Sequence, residues 1–132
     1  MFHAEARSHD EKELADVVQE MLDACAFAAS LSGCEVEAKV ENGFKGYRFK
    51  KDDEPVRLAR AALERVGVEP FYSLSGGGAD ANIFNMRGLQ CLNLANGMAE
   101  IHTPQEHIAS ADLDRMIDFT LALLEEARAA HA

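Results

Sequence analysis

Apolar and polar positions alternate at the start of the chain. Phe2, Ala4 and Ala6 fall on one side and His3, Glu5 and Arg7 on the other, a period of two that predicts a half-buried strand. The period then changes. Leu14, Val17, Val18, Met21, Leu22 and Cys25 recur at three- and four-residue spacing, the stripe of an amphipathic helix. Ser8 or Asp10 can cap it, Glu11 and Glu13 suit its positive end, and Gly33 is a natural stop. Alternation returns with Cys34, Val36, Ala38 and Val40 against Glu35, Glu37 and Lys39, and can resume through Phe44, Tyr47 and Phe49 after the Asn42-Gly43 turn. This β-α-β order is half of a ferredoxin-like sheet, whose full pattern repeats the unit.

A second pattern begins near residue 50. Asp52, Asp53 and Glu54 precede Pro55, which a first helical turn tolerates, and Val56, Ala59, Ala62, Leu63 and Val66 supply a buried face before Gly67. Residues 70–74 predict a short strand, residues 80–85 a short helix capped by Asp80, and residues 89–94 a buried strand. The last helix starts at Ser110 or Asp112. Its predicted buried stripe is Leu113, Met116, Ile117, Thr120, Leu121 and Leu124. The fold class is therefore α/β (α+β): a β-α-β piece over residues 1–50, then an α-β-α-β-α piece over residues 51–132.

Composition narrows the possible partners. A net charge of −10 argues against a nucleic acid or an anionic membrane, both of which need clustered Lys and Arg. The basic run from Lys45 to Lys51 is followed at once by three acidic residues and reads as a solvated turn. Cys25, Cys34 and Cys91 form no CxxC pair and read as small buried residues of a reducing compartment. No charged-then-apolar leader is present and no apolar run nears the ~18 residues of a membrane span, so a cytoplasmic location is expected.

Candidate chemistry sits in two blocks. The first, Ser75-Gly76-Gly77-Gly78-Ala79-Asp80-Ala81-Asn82-Ile83-Phe84-Asn85, puts three glycines between a strand and a helix. They either make a tight turn with positive φ or let backbone approach a ligand closely. The spacing is neither GxGxxG nor GxxxxGK[ST], which excludes the common nucleotide loops. The second block, Glu100-Ile101-His102-Thr103-Pro104-Gln105-Glu106, carries a histidine that is either exposed and structural or a ligand. His107 lies at the wrong spacing to join it on one helical face, HExxH is absent, and no serine sits in a GxSxG elbow.

Together these blocks resemble a known family. SGGGADANIFN, then NLANGM, then EIHTPQE are similar in order and separation to the C-terminal segment of peptidase T-like enzymes. These are co-catalytic zinc exopeptidases, a group that includes carboxypeptidase G-like enzymes and aminoacylases. The upstream EARSHDEKELADVVQEM resembles a strand and helix of their lid domain, so the likeness spans nearly the whole chain. It implies half of a lid and dimerisation domain over residues 1–50 and the C-terminal part of a zinc-exopeptidase catalytic domain over residues 51–132.

The resemblance also implies roles. The segment holding Gly77, Gly78, Asp80 and Asn82 would line the substrate cleft, and His102 would bind one of two zinc ions. Arg7 matches a lid residue that holds the substrate carboxylate, although Glu5 and Asp10 also offer it plain ion pairs. The family's histidine-aspartate block, its bridging aspartate and its Glu-Glu pair have no counterpart in this sequence. Two zinc ions polarise the peptide carbonyl and acidify a water whose proton a glutamate takes. One histidine cannot hold a catalytic zinc, which normally has three protein ligands. The expectation is a zinc-peptidase fragment, tripeptide aminopeptidase-like and inactive by itself, whose complete form would act on short peptides. The alternative is a non-catalytic binding or assembly module. Either would be expected to form a homodimer or to join a complementing N-terminal half.

Overall fold

The computed structural model describes residues 1–132 and contains four helices: α1 (Glu11–Ser32), α2 (Glu54–Arg65), α3 (Asp80–Met86) and α4 (Ser110–Ala130). Contacts divide the chain into two units. Met1–Gly46 with Leu74–Gly78 form the first, and Tyr47–Ser73 with Ala79–Ala132 the second.

In the first unit α1 follows the predicted boundaries. The Asp10 carboxylate accepts from the Lys12 and Glu13 N–H groups at 2.8 and 2.9 Å, so a side chain satisfies two of the donors that a helix start leaves open. At the other end Gly33 turns left-handed at φ 65°, and the Cys34 N–H reaches the Ala29 carbonyl at 2.9 Å. The apolar stripe is only half covered. Leu14, Val18, Met21, Leu22 and Cys25 are half-buried, Val17 is exposed, and α1 has no buried residue.

The predicted strands do not pair. Residues 2–7, 34–40, 70–74 and 89–94 belong to no ladder, and the single bridge of the chain joins Ala99 to His107. The β-α-β half-sheet and the strands of the second piece are corrected accordingly: within these residues the fold is helical with one isolated bridge. Alternation specifies which side of a segment faces apolar surroundings, but a strand also needs a neighbour to bond its N–H and C=O groups. None of these segments finds one within the chain. Cys34, expected to be buried, is exposed, while Cys25 and Cys91 are half-buried and all three are free thiols.

The second unit is organised by α2 against α4. Asp53 is the N-cap of α2, its carboxylate accepting the Lys50 N–H at 2.7 Å, and Pro55 lies in the first turn as expected. Val56, Ala59 and Ala62 are buried along α2, with Leu63 and Val66 partly so. From α4 come Phe119 and Ala122, which with Ala62 form the buried cluster, flanked by Met116 and Leu123. The helices run antiparallel. Glu54 meets His131 at 3.6 Å near one end, and Arg65 pairs with Glu125 and with Glu126 (3.4 Å) further along. These exposed pairs add little beyond orientation.

This overturns the predicted face of α4. Leu113, Ile117, Leu121 and Leu124 are 55–63% exposed and Thr120 is exposed too, while the packed side is roughly 140° round the helix at 3.6 residues per turn. Both sides of α4 are apolar. Phe119 docks inward because small Ala62 on α2 leaves room for a ring, whereas the leucine stripe has no neighbour. No helix is long and apolar enough to cross a membrane.

Phe119→Ala should lower unfolding stability by about 3–5 kcal/mol, since it empties the one buried cluster. Leu121→Ala should stay within about 0.5 kcal/mol of the parent, as an exposed side chain does. Urea denaturation followed by circular dichroism measures both, and equal losses would contradict the packing of α4.

Candidate functional site

The glycine run belongs to the first unit up to Gly78. Its conformation differs from the expected positive-φ turn. Left-handed glycines occur at Gly33, Gly67, Gly88 and Gly97, and none of Gly76, Gly77 and Gly78 is among them. Gly77 donates its N–H to the Ser75 hydroxyl at 3.2 Å. At Gly78 the demand is steric: the Phe44 ring lies where a Cβ would be. Glycine suits that position because the end of the Phe44 side chain approaches the backbone, not because the chain bends left-handed.

Arg7, the expected carboxylate-holding residue, takes its plainer option here. Its guanidinium donates to Glu5 at 2.5 Å with both side chains more than half exposed. That hydrogen bond, reinforced by charge attraction, holds the Glu5 carboxyl below the usual carboxylate range and raises Arg7.

In the second unit Asp80 and Asn82 lie on α3. Asp80 is the first helical residue and not the cap; the N-cap is Ala79. The exposed Asp80 carboxylate still suits the positive helix start. Capping falls to Asn82, which is buried and accepts the Ala79 N–H on its Oδ1 at 2.9 Å. Asn85 plays a part that the sequence reading did not assign. Its Nδ2 donates to the Ala81 and Cys91 carbonyls, each at 2.7 Å, and its Oδ1 accepts the Cys91 N–H at 3.2 Å. One amide thereby ties α3 to the segment after it. The signal was the Asn spaced one helical turn after Ala81, at a helix end where an amide can satisfy open backbone groups.

His102 sits on a loop closed at its base by the Ala99–His107 bridge, with bonds of 2.9 and 3.2 Å. Inside, the Glu100 carbonyl accepts both the N–H (3.1 Å) and hydroxyl (2.7 Å) of Thr103, while the Thr103 hydroxyl accepts the Gln105 N–H at 3.1 Å. The His102 N–H donates to Glu106 Oε2 at 2.9 Å. Two residues of the loop are left-handed without being glycine, Glu100 at φ 53° and His102 at φ 68°. Such residues cost of order 1–3 kcal/mol each and persist where surrounding bonds fix them, as they do here. The His102 side chain is exposed. As a neutral imidazole it has the chemistry of a zinc ligand, but no group of three or more His, Cys, Asp or Glu side chains is placed to hold a metal ion.

Replacing Asn85 with Ala should cost roughly 1–3 kcal/mol, because half-buried backbone groups lose their partner. Gly78→Ala should destabilise by about 1–3 kcal/mol unless Phe44 swings away, whereas Gly76→Ala, with open space at its Cβ, should be neutral or slightly stabilising. Denaturant midpoints rank the three. A Gly78→Ala midpoint no lower than that of Gly76→Ala would contradict the Phe44 contact.

Comparison with known proteins places this geometry. Residues 2–126 match the model of peptidase family M20/M25/M40. An uncharacterized protein, YqjE of Bacillus subtilis (strain 168), is 33% identical over 124 residues, which cover 94% of this chain and 33% of that one. A succinyl-diaminopimelate desuccinylase of Xylella fastidiosa (strain M12) is 38% identical over 76 residues, 57% of this chain and 20% of that one. Among solved structures, aminopeptidase PepT from Bacillus cereus ATCC 10987 superposes with a TM-score of 0.72 at 32% identity, covering 89% of this chain and 31% of that one. The chain thus spans about a third of the length of YqjE and a fifth of the desuccinylase. It belongs to peptidase family M20/M25/M40 and is peptidase T-like within it.

Proposed function

We propose that these 132 residues are the part of a zinc-dependent, tripeptide aminopeptidase-like enzyme that contributes one metal ligand and part of the substrate cleft, and that they do not hydrolyse peptides alone. The likeness to the PepT aminopeptidase over 89% of this chain and 31% of that one is the observation that carries the reading. His102 is the zinc-ligating residue. Gly77, Gly78, Asp80 and Asn82 line the substrate cleft, and Arg7 holds the substrate carboxylate in exchange for its present bond to Glu5. The remaining ligands and the general base come from the part of the family fold outside these residues. Zinc, when bound there, supplies Lewis acidity and an acidified water.

The open side of α4 supports this division. A helix apolar on two sides is made to lie between two layers, and α2 provides only one. A polypeptide carrying the other two thirds of the fold, as residues 1–50 form the lid portion and 51–132 the catalytic portion, would cover Leu113, Ile117, Leu121 and Leu124. Without it, two copies meeting through the unpaired segments near residues 2–7 and 34–40 would give a homodimer. A cytoplasmic setting suits the three free thiols.

The decisive experiment adds back the complementary two thirds taken from the Bacillus cereus aminopeptidase. Tripeptide hydrolysis should be undetectable for the 132-residue chain, appear in the zinc-loaded mixture, and vanish with chelator or His102→Ala. Turnover by the chain alone, dependent on His102, would refute the proposal, and tight association without hydrolysis would favour a non-catalytic assembly module. Light scattering over a dilution series should show a mass above 14.4 kDa at micromolar concentration; a stable monomer would remove the homodimer.

A further inference from the structure

The His102 side chain is exposed, so no packing fixes its direction. What aims the imidazole is the backbone of residue 102, which sits at φ 68°. A return to the ordinary region would swing the Cα–Cβ bond away from its present course. The question is which group prevents that return. Most bonds inside the loop act elsewhere: they link Glu100 with Thr103, Thr103 with Gln105 and Glu106, and Ala99 with His107. They close the turn without touching the peptide N–H of residue 102. That N–H is held by Glu106 Oε2 at 2.9 Å, a charge-assisted bond from a carboxylate four residues on. The Glu106 backbone is itself anchored, its N–H donating to the Thr103 carbonyl at 3.1 Å.

We propose that Glu106 is a positioning residue: by accepting the His102 N–H it locks His102 in the left-handed conformation and so sets where the imidazole points. The inference deepens the reading of His102 as a ligand-bearing residue and rests on it for its significance. Its test needs neither metal nor activity, so the two can fail separately.

The experiment uses the full 132-residue chain, ¹⁵N-labelled, as parent, Glu106→Ala and Glu106→Gln. Two quantities are read at residue 102: the amide hydrogen-exchange rate, and the intraresidue amide–Hα Overhauser effect, which is strong when φ is positive. Glu106→Ala should speed His102 exchange by at least about fivefold and weaken the Overhauser effect, the scale expected for losing one such bond. Exchange at Ala99 and His107, whose amides report the base of the loop, should change far less. Glu106→Gln keeps a carbonyl oxygen at the same reach and should restore most of the protection. An unchanged His102 in Glu106→Ala would overturn the proposal. So would equal loss of protection at Ala99 and His107, since Glu106 would then hold up the loop as a whole and not aim the histidine.

Discussion

The second unit depends on one contact, the packing of Phe119 and Ala122 from α4 against Ala62 of α2. The contact works because a ring needs depth and the small side chain of Ala62 provides it. The contacts of Arg65 with Glu125 and of His131 with Glu54 accompany this packing but, being exposed, contribute little. The first unit has no equivalent centre. Its long helix is well capped at both ends yet buries nothing fully, so its order rests on local hydrogen bonds and on half-covered stripes.

The consequence is an excess of apolar surface. Leu113, Ile117, Leu121 and Leu124 on α4, Phe27 and Leu31 on α1, and Phe71 and Leu89 in unpaired segments all face solvent. Single exposed apolar residues are unremarkable on proteins, but a continuous stripe along a helix is not. A chain that corresponds to about a third of its aminopeptidase neighbour would be expected to carry such surfaces, because layered α/β folds bury helix faces against sheet strands far away in sequence.

The His102 loop shows a different economy. It is stable locally, with a bridge at its base and side-chain bonds from Thr103 and Glu106 within, and it tolerates two left-handed non-glycine residues. Loops of this kind hold a side chain in place without a core beneath them. Glycine plays a lesser part than its density suggests: at Gly78 it leaves room for Phe44, while the left-handed turns are made at Gly33, Gly67, Gly88 and Gly97.

The sequence by itself determined the four helices, because their signals are local. Asp10 and Gly33 bound α1 through bonds within a few residues, and Val56, Ala59 and Ala62 repeat at the period that buries them. It also determined the family resemblance, since the SGGGADANIFN and EIHTPQE blocks are contiguous. The local details of the site were less legible. Asp80 looked like a cap, yet the buried amide of Asn82 does the capping, and the stapling role of Asn85 emerged only once Cys91 lay beside it. Only the tertiary structure decided that α4 packs through Phe119 and Ala122 and that the alternating segments stay unpaired. Periodicity records that a face is apolar, but not which neighbour will cover it, and strand pairing depends on a partner that no single segment encodes.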